Sequence, residues 1–151
     1  NEINRYCERH GISPYLFLSL VREESHFDKN SKSAVGAIGL AQVMPSTAEF
    51  IEKRPISTRI LHQEEENIEI GVKYFAYLLE RFEENEYLAI LAYNAGPGKI
   101  DRWLKNDLIS SDEIDVFVEN IPYIETKNYI KKILSSYWVY LNVYRPQKIR
   151  H

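Results

Sequence analysis

An all-α domain is the fold class that this sequence predicts. Apolar residues recur at three- and four-residue spacings through most of the chain, and stretches of strict polar–apolar alternation are hard to find. The length of 151 residues suits one domain around one core. No internal repeat or low-complexity linker divides it. Hydrophobic residues at 44% and charged residues at 27% are ordinary for a soluble globular chain.

The first clear helix is expected from Ser13-Pro14, an N-cap residue followed by proline at the first helical position, to about His26 or Phe27. Residues 28–44 are rich in Ser, Asn and Gly and read as a long ordered loop. Ser46 and Glu49 have the spacing of a capping box, which predicts a helix start there. Ile68, Val72, Phe75, Leu79 and Phe82 alternate by four and three, an amphipathic helix over 67–82. Another helix is expected from Glu86 to Tyr93, stopped at Gly96-Pro97, and a short one follows with Ile100, Trp103 and Leu104 inward. The last spans about Ile124 to Tyr144, with Ile130, Ile133, Leu134, Tyr137, Leu141 and Tyr144 on one arc, and Arg145-Pro146 should end it.

Charge and composition exclude several functions. The net charge is −3, from 19 Lys+Arg against 22 Asp+Glu, and no basic stripe is present to hold a nucleic acid. Cys7 is alone, so an intrachain disulfide is impossible. No apolar run approaches the ~20 residues that cross a bilayer. No charged leader with an apolar stretch is present either. His10, His26, His62 and His151 lack metal-binding spacings, so neither a metal nor another cofactor is expected. Eleven Tyr and two Trp offer flat amphipathic surfaces that suit carbohydrate as well as a core.

The first helix carries an acid in an unusual place. At about 100° per residue, Leu16, Phe17, Leu20, Val21 and Phe27 share one arc. Glu24 falls inside it, Glu23 at its edge, and Arg22, Ser25 and His26 point elsewhere. A carboxylate in a buried stripe is costly when charged and unpaired, so its pKa should rise, as a general acid at neutral pH requires. Taken alone, an acid near a helix end is as readily a solvated group where the arc opens to water.

Three ordered segments decide between these readings. The first is Arg22-Glu23-Glu24-Ser25-His26-Phe27, continuing through Ser33 to Gly36-Ala37-Ile38-Gly39-Leu40-Ala41-Gln42-Val43-Met44-Pro45-Ser46-Thr47-Ala48. The second is Ala92-Tyr93-Asn94-Ala95-Gly96-Pro97-Gly98, and the third Ile121-Pro122-Tyr123-Ile124-Glu125-Thr126-Lys127-Asn128-Tyr129. In that order and spacing they resemble the soluble lytic transglycosylases of Gram-negative bacteria, over about Asn4 to Tyr144. The resemblance implies a compact, goose-type-lysozyme-like helical domain with a long active-site loop.

It also implies peptidoglycan glycan strands and muropeptides as partners, other cell-wall enzymes as candidate further partners, and a periplasmic location reached after removal of a leader. The whole chain, 1–151, would be the catalytic domain, a C-terminal fragment of a longer protein. Glu24 matches the family's catalytic glutamate. Ser25, Ser33, Gln42, Met44, Tyr93, Asn94, Glu125 and Tyr129 match positions at the sugar cleft. Tyr129 lies one turn beyond Glu125, so the two share a helix face. Gly36 and Gly39 would let the loop approach the sugar closely. The family's usual Gly-Leu-Met-Gln reads Gly39-Leu40-Ala41-Gln42 here, which bears on substrate contacts.

The implied reaction cleaves the β-1,4 bond between N-acetylmuramic acid and N-acetylglucosamine without water, giving 1,6-anhydromuramyl ends. A hydrolytic muramidase and an inactive peptidoglycan-binding module are the alternatives.

Overall fold

Helices and their connecting turns make up the fold of this computed structural model, which describes residues 2–109 and 118–144. Their order is α1 (Glu2–Arg9), α2 (Pro14–Ser25), α3 (Pro45–Glu52), α4 (Thr58–Leu61), α5 (Glu64–Arg81), α6 (Glu86–Ala95), α7 (Pro97–Lys105) and α8 (Ile124–Tyr144). Among the described residues there is no β-strand, only the isolated bridges Lys32–Ile38 and Ile38–Val43 within the long loop. The all-α expectation holds. The helix stop expected at Arg145-Pro146 lies outside the described residues.

Central α5 packs on α1, α3, α4 and α6, while α2 packs on α1 and α8, and α6 reaches α7 and α8. The apolar stripe of α2 is fully enclosed: Leu16, Phe17, Leu20 and Val21 are each at most 1% exposed. Burying side chains of this kind contributes about 1.5–3 kcal/mol each. Phe17 meets Phe75 of α5 in a tilted aromatic pair.

Helix α2 runs antiparallel to α8. Three cross-links establish the register: Tyr15 to the Tyr144 carbonyl, Arg22 to Ser136, and Glu24 to Tyr129.

Local chemistry explains the helix ends. Pro14 and Pro97 sit at the starts of α2 and α7, where a missing N–H costs nothing. Asn85 caps α6, its side-chain oxygen accepting from the Tyr87 and Leu88 N–H groups. Three acids occupy the first turn of α5, beside the positive end of its dipole.

Several expectations are corrected. Helix α2 ends at Ser25, because His26 and Phe27 both take left-handed backbone angles (φ 50° and 64°). Phe27 therefore leaves the apolar arc and is 46% exposed. The capping box at Ser46 and Glu49 does not form. Pro45 opens α3 behind Met44, with no side-chain cap, and the Glu49 carboxylate instead accepts from the Ile56 N–H at 3.3 Å. Helix α5 begins three residues earlier than its apolar repeat, and α6 continues to Ala95. Short α1 and α4 were not anticipated. Helix α1 buries only Tyr6 and Cys7, too little to set a pattern.

Asn67 is a buried anchor of the loop over 28–44. Asn67, 1% exposed on α5, accepts from the Ala41 N–H at 2.8 Å and donates to the carbonyls of Ile38 (2.8 Å) and Leu61 (2.9 Å). Gly39 lies against it at φ +79°, and a Cβ there would come within 2.5 Å of the Asn67 amide nitrogen. Its lack of a side chain thus serves the loop-to-helix contact. Gly71 of α5 does the same from below, since a Cβ there would stand 2.6 Å from the Ala41 methyl and 3.2 Å from the Phe17 ring.

Asn67→Ala would orphan one buried donor and two buried acceptors, each worth roughly 1–3 kcal/mol. Urea unfolding should show a loss of at least roughly 3 kcal/mol. A loss below roughly 1 kcal/mol would remove Asn67 from this role.

Candidate active site

Glu24 occupies the last turn of α2, where the apolar stripe of that helix meets α8. The Tyr129 hydroxyl, from the second turn of α8, donates to Glu24 Oε1 at 2.5 Å. Burial dominates the electrostatics and pushes the carboxyl up to about 7. The Tyr129 hydrogen bond favours the ionised form and pulls the other way, while the neighbouring Glu23 charge adds to the rise. Near neutral pH the carboxyl is therefore divided between its two forms, able to give a proton and to take one back.

Two tyrosine hydroxyls share this setting. Burial first, and then the Glu24 charge, hold both Tyr129 and Tyr93 well above the usual phenol range. They act as neutral hydroxyls. The Tyr93 hydroxyl donates to the Ala41 carbonyl at 2.6 Å. Its ring packs on Tyr74 and Phe75 of α5, tying the loop to the core.

Beside the acid lies a cleft of about 800 Å³. Ser33 and Val35 of the loop, Asn94 at the end of α6, and Glu125, Asn128 and Tyr129 of α8 form its walls. Glu23 and Lys132 close one side, with the Lys132 ammonium 3.3 Å from the Glu23 carboxylate. Asn94 is exposed and accepts from the Thr126 hydroxyl at 3.3 Å. Ser33 shapes its own turn, its hydroxyl accepting from the Ala37 N–H at 3.0 Å.

Of the residues expected here, Ser33, Asn94, Glu125 and Tyr129 line this cleft, and Glu24 is joined to it through Tyr129. Gln42, Met44, Tyr93 and Ser25 do not line it. Gln42 stands at φ 48° and donates its amide hydrogens to the Ser31 and Gly39 carbonyls, which stiffens the loop. Met44 is half-buried at the start of α3. Ser25 is buried and turned back on its helix, its hydroxyl donating to the Val21 carbonyl at 3.2 Å. Ala41 is fully enclosed over Gly71, so the position that departs from the family pattern is a packing position.

Glu23, Lys99, Thr126, Asn128 and Lys132 are cleft residues that the sequence did not single out. A signal existed for two of them, because Glu125, Asn128, Tyr129 and Lys132 fall at i, i+3, i+4 and i+7 of one helix. Among the described residues no group of three His, Cys, Asp or Glu side chains is placed to hold a metal ion.

The ionisation of Glu24 ties stability to pH. The folded chain keeps its proton up to about 7, whereas the ordinary value is 4.5. Between those values the folded state binds more protons, so stability is highest below 4.5 and falls as pH rises through 7. Glu24→Gln should thus stabilise the fold by roughly 2–4 kcal/mol at pH 8 and by nearly nothing at pH 4. Urea unfolding at the two pH values measures this, and an equal effect at both would refute it. Tyr129→Phe removes the donor that favours the charged form. An NMR titration of the Glu24 carboxyl carbon should move further up, and a downward move would contradict the assigned sign.

Comparisons with known proteins give the family and the fold. The family model described as Transglycosylase SLT domain matches residues 1–116. The soluble lytic murein transglycosylase of Salmonella typhimurium is 38% identical over 149 residues, covering 95% of this chain and 23% of that protein. The crystal structure of the 70 kDa soluble lytic transglycosylase of Escherichia coli superposes with a TM-score of 0.88 at 34% identity, covering 95% of this chain and 24% of that one. An inactive Glu-to-Gln mutant of the lytic transglycosylase Slt from Pseudomonas aeruginosa gives 0.85 at 34% identity, covering 93% and 23%. The chain spans about a quarter of the length of these relatives. With its all-helical fold, a half-buried glutamic acid at the end of α2 and the family model matching residues 1–116, the chain belongs to the transglycosylase SLT-domain family.

Proposed function

We propose that this chain is the catalytic unit of a peptidoglycan lytic transglycosylase acting in the periplasm, within a longer protein. One observation carries the reading: a single carboxyl, held near neutral by burial, sits against a tyrosine donor at the wall of a cleft of about 800 Å³.

Glu24 donates its proton to the glycosidic oxygen, and the bond from that oxygen to the muramyl C1 breaks. The N-acetylglucosamine side leaves with a new 4-hydroxyl. Positive charge at C1 is met by the sugar's own N-acetyl oxygen. Glu24, now a carboxylate, takes the proton of the muramyl 6-hydroxyl, and that oxygen closes on C1. The product is a 1,6-anhydro ring, Glu24 is protonated again, and no water is consumed.

The rest of the site fits these steps. Ordinary glycosidases use two carboxylates, the second as nucleophile or as base for water. Here Glu23 is paired with Lys132, and Glu125 is exposed at the first turn of α8. Neither accepts the Tyr129 hydrogen bond that Glu24 does. The intramolecular hydroxyl outcompetes water through its effective molarity. Tyr129 steadies the carboxylate half of the cycle through its hydrogen bond. Asn94 and Ser33 offer neutral polar groups, which suit an uncharged glycan.

Glu24→Gln should lower turnover by about a thousandfold or more, while strand binding survives. Mass spectrometry of digested peptidoglycan should find muramyl ends lighter by one water. Reducing ends alone would replace this reading with a hydrolytic muramidase. The rate should also fall as pH rises through about 7, the value of the acid that must begin protonated.

A further inference from the structure

An aromatic pair outside the reacting centre has no part in the steps above. The Tyr123 ring, just before the start of α8, stacks on the Trp103 ring of α7 with centroids 5.3 Å apart and planes 17° from parallel. Trp103 is 4% exposed and belongs to the core, whereas Tyr123 is 50% exposed.

Lys99 identifies the open face of that ring. Its ammonium lies 4.1 Å from the Tyr123 centroid and 5.8 Å from the Trp103 centroid. On the side of Tyr123 away from Trp103 it would stand much farther from the indole, with the whole stack between them. Lys99 and Trp103 are four residues apart on α7 and so approach from one helix face. Both therefore back the same side of Tyr123, one as a cation–π contact and the other as a stack. The outer side of the ring is left to water.

This ring stands at the rim of the cleft. Lys99, behind it, and Glu125, two positions beyond it, are both cleft-wall residues. The Tyr123 carbonyl accepts from the Lys127 N–H at 2.9 Å, which joins the residue to the first turn of α8. Tyr129, the partner of Glu24, follows six residues later, about 9 Å along the helix axis. One sugar ring does not span that distance, so a ring lying on Tyr123 is a different one from the ring being cut.

We infer that the outer face of Tyr123 is a stacking platform for a further pyranose ring of the glycan strand, outside the pair of sugars that reacts. The inference rests on the transglycosylase reading and adds a second contact with the same polymer. A pyranose with equatorial substituents turns C–H groups to its flat faces, and an aromatic ring covers such a face without needing charge. Pinned from behind by Trp103 and Lys99, the Tyr123 ring has little freedom left to lose when it is covered.

Trp103 supplies a readout that does not depend on turnover. The chain has two Trp, and Trp138 is 67% exposed, so Trp138→Phe leaves Trp103 as the sole indole. Soluble β-1,4 oligomers of N-acetylglucosamine, titrated into that variant, should change its emission and saturate. By calorimetry, Tyr123→Ala should weaken oligomer binding about tenfold, and Tyr123→Phe should keep it within about twofold, since the ring and not the hydroxyl makes the contact. On peptidoglycan, Tyr123→Ala should raise KM about tenfold more for long strands than for the shortest fragment that is cut, with little change in kcat. Tyr123→Leu still covers the Trp103 indole but has no flat ring, and it should behave as Tyr123→Ala does.

Emission that ignores the oligomers, or a KM effect equal on long and short strands, would overturn the platform. So would full activity of Tyr123→Leu on long strands, which would make the residue a cover for Trp103. Emission that shifts with protein concentration and not with sugar would assign the face to a second copy of the chain instead. If oligomers bind through Tyr123 but no strand gives anhydro ends, the platform holds and the transglycosylase reading fails.

Discussion

Keeping one carboxyl dry is the constraint around which this domain is arranged. A carboxylate buried without partners costs several kcal/mol, and the usual response is to keep its proton. Glu24 is placed at the end of the apolar stripe of α2, beside the enclosed Phe17, Leu20 and Val21, where partial burial raises its carboxyl. Helix α8 completes the enclosure. Its antiparallel register along α2 brings Tyr129 to the acid, and the same register puts Lys132 beside Glu23 and Ser136 beside Arg22. Sliding α8 by one turn would break all three contacts together.

The loop beyond α2 is the second wall of the site, and its order comes from side chains that face the core. Asn67 meets one N–H and two carbonyls, and Tyr93 meets a third carbonyl. These groups are fully paired, which is the condition under which a buried polar network rigidifies a fold. Gly39 and Gly71 make the approach possible from either side. Residues of the quoted motifs thus divide into those that face the cleft and those, such as Gln42, Tyr93 and Ala41, that hold its wall.

Much of the helical framework was legible because burial imposes a period. The stripes of α2, α5 and α8 appear in the sequence as they do in the core, and the proline and asparagine starts mark their helices. Boundaries were less legible where the backbone departs from the common angles. Two successive left-handed residues after Ser25 turn Phe27 to solvent, and nothing in its side chain announces that. Pro45 takes the first helical position, which puts Met44 at the cap and Ser46 and Glu49 inside the helix.

At the site, the misplaced acid was visible from periodicity, but its partner was not. Glu24 and Tyr129 are 105 positions apart, and only resemblance linked them beforehand. Asn67 escaped notice because a polar residue at the start of an apolar repeat reads as a helix end. The direction of the Ser25 hydroxyl, back onto Val21, depends on a side-chain torsion that sequence does not encode.

The fixed loop has a consequence for how a ligand is bound. Ordering a mobile loop costs about 1–2 kcal/mol per residue in backbone entropy, and a site that orders a lid around its ligand loses that amount from its affinity. In this chain the loss is incurred on folding, when Asn67 and Tyr93 take hold of the loop carbonyls. A ligand entering the cleft meets a wall already in place. Its contacts then go to its own orientation rather than to assembly of the protein around it.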